Sequence, residues 1–229
     1  VETVDVSQMH LRHNANGHPS LWMPRFDVQW RDPKEVHFGM ESLYALTDTP
    51  AGAHRDHQEN LESLHLCLVE GAFLHSAKRR KPKRGARSTE LVVEYIRRDL
   101  LNIVFGNSDN HGRNIAVLKT PEGPWLAPVY DFAPMVMDPE GIARTTRWNR
   151  TLEGPHGVDW RGVCKAQKHL ADPDEVWSQL REFASKLRDL DQRLETLGLP
   201  EETLTFPAIG LRRINDKLRA WDLLAKEVV

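Results

Sequence analysis

Only two cysteines, Cys67 and Cys164, occur in 229 residues. They stand far apart and outside any Cys-x-x-Cys pair, which argues against both a disulfide framework and a zinc knuckle. A reducing, cytoplasmic setting is the expectation. No apolar stretch approaches the roughly 20 residues needed to span a bilayer, and no charged-then-apolar leader opens the chain. An excess of one charge is also missing: 31 Lys and Arg stand against 33 Asp and Glu, for a formal net charge of -2. Attraction to nucleic acid or to a membrane surface therefore has to come from a local patch. The glycines form neither G-x-G-x-x-G nor G-x-x-x-x-G-K-[ST], so these residues supply no phosphate-cradling loop. No internal repeat is visible.

What is present is an ordinary globular composition, 40% hydrophobic and 28% charged, long enough for one sizeable core and one domain or slightly more. Residues 1–27 alternate loosely around Asn14-Ala15-Asn16-Gly17 and read as a β-hairpin. The start at Val1, in what reads as the middle of a strand, leads to the expectation of further chain upstream. Spacings of three and four predict short helices over Met40 to Leu46 and Asn60 to Phe73, with a loop from Thr47 to His57. Residues 78–87 form a dense basic run, read as a solvated loop and the one place where a polyanion would make contact. Ser88 reads as the cap of an amphipathic helix with Val92, Tyr95, Ile96, Leu100 and Ile103 on one face.

That helix runs into Gly106-Asn107-Ser108-Asp109-Asn110-His111-Gly112-Arg113-Asn114. Beyond it, Ile115 to Leu118 and Trp125 to Tyr130 are short apolar runs separated by a Pro- and Gly-containing turn, a hairpin signature that ends at Asp131. In the last third, Asp172, Pro173 and Glu175 look like a capping box. A four-three alternation from Val176 to Leu197 then predicts one helix closed by Gly198, followed by a last helix carrying Leu211, Ile214, Leu218 and Trp221. The fold class expected is α+β, a mainly helical lobe with short hairpins around a site.

Asp109 and Asn114, five positions apart on a loop between a helix and a hairpin, have the spacing of a kinase catalytic loop. Phosphoryl transfer needs a carboxylate to orient the attacking hydroxyl and accept its proton. It also needs hard oxygen ligands for the magnesium that bridges the phosphates. Asp109 suits the first role and Asn114 the second. The hairpin returns Asp131, followed by Phe132, to the same place as a second metal carboxylate, in the manner of a DFG turn. An Asp-x-x-x-x-Asn pair alone is a weak signal, because such side chains crowd turns everywhere. The flanking helix, His111 two residues on and Asp131 at the end of an apolar strand strengthen it. His111 is grouped with Asp109 as a histidine that hydrogen-bonds the catalytic loop, since no partner at zinc spacing accompanies it. His54, His57 and His65 read as solvated surface. Arg144 to Arg150 reads either as a phosphoacceptor contact or as plain surface, and the scattered tryptophans, Trp22 and Trp30 among them, as core and interface packing.

The stretch from Asn107 to Asn114, followed by Leu126-Ala127-Pro128-Val129-Tyr130-Asp131, resembles the HipA family of bacterial serine/threonine kinases, and Arg25-Phe26-Asp27 resembles that family's hinge segment. The resemblance covers about residues 20 to 150. It implies ATP and Mg2+ as cofactors, Asp109 as catalytic base, Asn114 and Asp131 as metal ligands, and backbone around Pro24 and Phe26 against the adenine. It also implies a protein substrate, an aminoacyl-tRNA synthetase among the candidates, and an antitoxin or complementary N-terminal lobe as partner. On this reading residues 1–27 are a hinge hairpin left from an N-terminal lobe and residues 28–229 the C-terminal kinase lobe. The family's glycine-rich loop and ATP-binding lysine have no counterpart in these residues. Two alternatives stay open: an incomplete kinase-like half acting as a partner-binding module, and a small-molecule or lipid kinase with a similar Asp-x-His-x-x-Asn loop.

Overall fold

The computed structural model describes residues 1–71 and 86–225. Most of the basic run at 78–87 and its expected polyanion contact lie outside them, as does the end of the helix expected to reach Phe73.

The N-terminal stretch is strand-rich and largely solvated. Strands β1 (His10–His13) and β2 (Pro19–Trp22) pair antiparallel with His10 opposite Trp22. Asn14 makes the turn, its Oδ1 accepting from the amides of Asn16 and His18. The expected hairpin is present, but all eight strand residues are exposed. Trp22, 56% exposed, lies under the Arg12 guanidinium instead of in a core, and Trp30 is 69% exposed on the second hairpin, β3 (Val28–Arg31) with β4 (Lys34–His37). For these two tryptophans the expected core packing is not found.

Gly39 to Ser42 forms β5 instead of the predicted helix start, and only Leu43–Leu46 turns helical, as α1. The reason is tertiary. Met40 sits opposite Leu118 and Ser42 opposite Ala116 in an antiparallel sheet whose centre is β7 (Ala116–Thr120), so backbone pairing overrides a weak helical spacing. Strand β8 (Gly123–Leu126) completes the sheet in the order β5-β7-β8. Residues 2–4 add to its far end: Val4 is buried and its amide donates to the Val129 carbonyl.

The body is helical. The loop from Thr47 leads through β6 (Arg55–Asp56) to α2 (His57–Leu68), capped by Asp56, and the chain then enters α3 (Ala86–Val104). Val92, Tyr95, Ile96 and Leu100 lie on the buried face of α3, as their spacing predicts. Ser88 is not its cap. It sits inside the first turns, fully buried, accepting from His65 Nε2 at 2.7 Å and donating to the Leu170 carbonyl at 2.6 Å.

After β8 the chain crosses to a parallel pair, β9 (Thr146–Arg147) beside β6, and then to α4 (Trp160–Ala166) and α5 (Pro173–Ser185). Asp172 caps α5 through the amides of Asp174 and Glu175. The Glu175 side chain bonds Gln179 instead of returning to the cap. The long helix expected through Leu197 is broken. It stops at Ser185, Asp189 takes a left-handed φ of 53°, and α6 (Leu190–Thr196) starts after it. The Asn215 side chain holds that corner, accepting from the Asp189 amide and donating to its carboxylate. Helices α7 (Glu201–Thr205) and α8 (Ile214–Ala220) complete the fold, which is α+β. Cys67 and Cys164 are free and buried. Among the described residues no helix is long and apolar enough to cross a membrane.

Candidate active site

Helix α3 ends at Val104 and delivers the chain to a loop held by backbone geometry. Gly106 has φ +65°, and a Cβ there would lie 2.6 Å from Val136, whose amide donates to the Gly106 carbonyl. Only glycine meets both demands. Asn107 is tied back to α3 twice, amide to the Asn102 carbonyl and Nδ2 to Asn102 Oδ1. Gly112 lies flat against the buried ring of Tyr44, where a Cβ would meet ring carbons at 2.2 and 2.4 Å.

The loop closes on itself: Asn114 Nδ2 donates to the Asp109 carbonyl at 2.9 Å, which leaves the amide oxygen of Asn114 free as a donor to a cation. The Asp109 carboxylate is 34% exposed, open to an incoming hydroxyl. His111 Nε2 stands 3.6 Å from it, beyond hydrogen-bond length, so the expected bond from His111 within the loop is not made. The ring of His111 instead lies against Tyr44, centroids 6.2 Å apart.

The hairpin returns Tyr130, the residue before Asp131, to the end of the loop. The Tyr130 hydroxyl donates to the Arg113 carbonyl at 2.5 Å, fastening the end of one arm beside Asn114 at the start of the other. Burial and the neighbouring Asp131 charge push the Tyr130 phenol up to about 12, so it remains a donor at neutral pH. Asp131 is exposed with φ 52°, a left-handed conformation that Asp tolerates better than most side chains. Phe132 turns its edge to Phe105. Phe26 stacks on Tyr130 with centroids 5.2 Å apart, so the hinge-like segment does reach the site, whereas half-buried Pro24 makes no described contact with it. A small cavity of about 40 Å³, lined by Asn107, Asn110, Asn114, Tyr130 and Phe132, lies behind the loop.

Sequence reasoning missed what stands on the far side of that cavity. His57 and His65, read as surface, are 2% and 0% exposed. Arg144 to Arg150, also read as an outer contact, sends Thr146 and Trp148 inside. They are drawn in by Asp99, itself 2% exposed on α3. Asp99 Oδ1 accepts from Arg144 Nη2 at 2.9 Å and lies 3.2 Å from His57 Nε2, while Oδ2 accepts from Trp148 Nε1 at 2.8 Å. Burial alone would raise the Asp99 carboxyl. Arg144 and then His57 outweigh it and hold the group well below the usual carboxylate range. One signal was available: Asp99 falls three and four residues after Ile96 and Tyr95, on the apolar face, where a carboxylate needs partners.

A small sheet and a helical body that present an Asp-x-x-x-x-Asn loop and an Asp at the end of the following hairpin define a kinase-like C-terminal lobe. Residues 3–192 match the HipA-like C-terminal domain, and the chain belongs to that family. Among relatives, the Sinorhizobium fredii protein named "Putative kinase Y4mE" is 27% identical over 144 residues, 60% of this chain and 30% of that protein. A chain in the solved Shewanella oneidensis toxin-antitoxin complex of HipA, HipB and operator DNA superposes with a TM-score of 0.55 at 15% identity, over 97% of this chain and 51% of that one. The chain therefore spans about a third of the first of these and about half of the second.

Proposed function

We propose that this chain is the catalytic and metal-binding half of an ATP- and Mg2+-dependent serine/threonine kinase of HipA type. The observation that carries the reading is the Tyr130 to Arg113 hydrogen bond. It ties the residue before Asp131 to the residue before Asn114, whose side chain bonds the Asp109 carbonyl. The donor set fits magnesium: Asn114 offers an amide oxygen and Asp131 an exposed carboxylate, both hard ligands. Magnesium usually takes only one or two protein oxygens, with water and phosphate supplying the rest. When bound, the metal would neutralise charge on the phosphates.

In this reading Asp109 orients the acceptor hydroxyl and takes its proton, at a carboxylate that is partly exposed. Phe26, stacked on Tyr130, supports reading the backbone around Pro24 and Phe26 as the adenine-facing hinge. Residues 1–27 would then be the hinge hairpin and residues 28–229 the C-terminal lobe. The protein target, a synthetase among the candidates, and an antitoxin partner are inferred by kinship, the latter from the HipA and HipB complex.

Calorimetric titration with ATP tests this. Magnesium-dependent binding that is lost in Asp131→Asn is the expected result. Because Asn also tolerates left-handed φ, the substitution removes charge without disturbing the backbone. Binding that is indifferent to magnesium and unchanged in the variant would overturn the assignment of Asp131.

A further inference from the structure

Asp99 and Arg144 touch neither Asp109 nor the metal ligands, yet the four segments they join include the loop itself. Asp99 comes from α3 and His57 from α2, while Arg144 and Trp148 flank β9, downstream of Asp131. The fourth member is Asn110, next to Asp109 and 4% exposed, whose Nδ2 reaches Asp99 Oδ1 at 3.5 Å and the Thr146 carbonyl at 3.4 Å. Asn110 therefore sits in a notch formed on one side by the carboxylate and on the other by the strand that Arg144 fastens. Arg144 Nη2 also reaches the Thr146 carbonyl, at 3.4 Å, and Glu153 Oε2, at 3.8 Å. Glu153 in turn accepts from the Trp148 amide at 2.9 Å.

Buried ion pairs can often be replaced by apolar side chains at little cost, and what they supply in the better-attested cases is a unique geometry. Here the geometry is that of the loop. Asn110 has no other described side-chain bond, and its Oδ1 is buried without a partner. Its place thus depends on Asp99 and Thr146 both staying where Arg144 holds them.

We infer that Asp99 and Arg144 are positioning residues: the ion pair clamps the segment at 144–148 against α3, and the clamped pair seats Asn110 and so sets the place of Asp109. The inference rests on the kinase reading for its consequence in catalysis, but not for its mechanical content. Whatever displaces the 144–148 segment, such as a bound partner, would then unseat the loop without touching any metal ligand.

The experiment measures amide hydrogen exchange and phosphoryl transfer on the full chain, comparing wild type, Arg144→Met and Arg144→Lys. Arg144→Met is expected to speed exchange across 107–114 by about tenfold or more, leaving α6 unchanged, because only the loop loses its seat. Mg·ATP affinity should stay within about threefold while kcat falls by about 10²-fold, the scale of a misplacement near 1 Å. Arg144→Lys, which retains the cation, should recover part of both effects. Unchanged exchange at 107–114, or an equal rise in α6, would overturn the inference, since the first denies coupling and the second means general loosening. If wild type binds no Mg·ATP but Arg144→Met still loosens 107–114 selectively, the clamp stands and the kinase reading falls.

Discussion

Replacing Gly112 by alanine adds one methyl group at a crowded point of the loop from Gly106 to Asn114. The added Cβ would lie 2.2, 2.4 and 3.0 Å from three ring carbons of Tyr44. Ordinary carbon contacts begin near 3.5 Å, so ring and loop must part by about 1.3 Å. The ring has little room to retreat: Tyr44 is 4% exposed, and its hydroxyl donates to the Ala53 carbonyl at 2.8 Å. Gly112 is not among the glycines with positive φ, so the cost is steric alone. Overpacking of a closed site costs roughly 1–3 kcal/mol, and the pinned ring puts this case near about 3. For a chain of this size that lowers Tm by about 6 to 12 °C. The assay is thermal unfolding of Gly112→Ala, Tyr44→Ala and the double variant. If the clash is the cause, the double variant is no less stable than Tyr44→Ala alone, a non-additivity of about 2 to 3 kcal/mol. A Gly112→Ala protein that melts within about 2 °C of wild type, or strictly additive effects, would refute the reasoning.

Two further outcomes follow from the buried groups. The Asp99 carboxyl is held below its ordinary value, so its contribution to stability is complete above the unfolded value near about 4 and is lost as pH falls through the folded one. Urea midpoints measured from pH 6 down to pH 3 should therefore decline more for wild type than for Asp99→Asn, and parallel declines would contradict the assigned pairing. Burial raises both thiols, Cys164 to about 12, so neither should react with a thiol reagent in the folded protein at pH 8, while both should react in denaturant. Rapid labelling of the native chain would show that one of them is reached by solvent.

The parts of the fold that were legible in the sequence are those decided by local pattern. The apolar face of α3 and the two arms around Asp131 follow from spacing, and the Asp172 cap from residue type, because each needs only near neighbours. The errors share another cause. Ser88 has the chemistry of a cap, but its hydroxyl is claimed by His65 and Leu170, partners 23 and 82 residues away. His57 and Arg144 stand among polar neighbours in sequence, and only the fold shows that one buried carboxylate collects them. The apolar alternation through Leu187 and Leu190 continues unbroken although the helix does not, since the corner at Asp189 is set by Asn215. Within the candidate site, Asp109, Asn114 and Asp131 were singled out because their spacing is itself the signal. Asn110, one residue from Asp109, was passed over because nothing in its neighbours marks it as buried.

The bond from Tyr130 to Arg113 also bears on how chains of this kind are judged intact. Beyond the β7–β8 pairing, the neighbours of Asn114 and Asp131 are joined by one phenol oxygen, carried by a residue that is not itself a proposed ligand. Exchange of that tyrosine for phenylalanine would delete a single atom, change no charge and leave every ligand in place. A census of the proposed ligand residues alone would not register the change, although the hairpin would have lost a bond between its ends. Decay of activity in a lineage can thus begin where such a survey does not look.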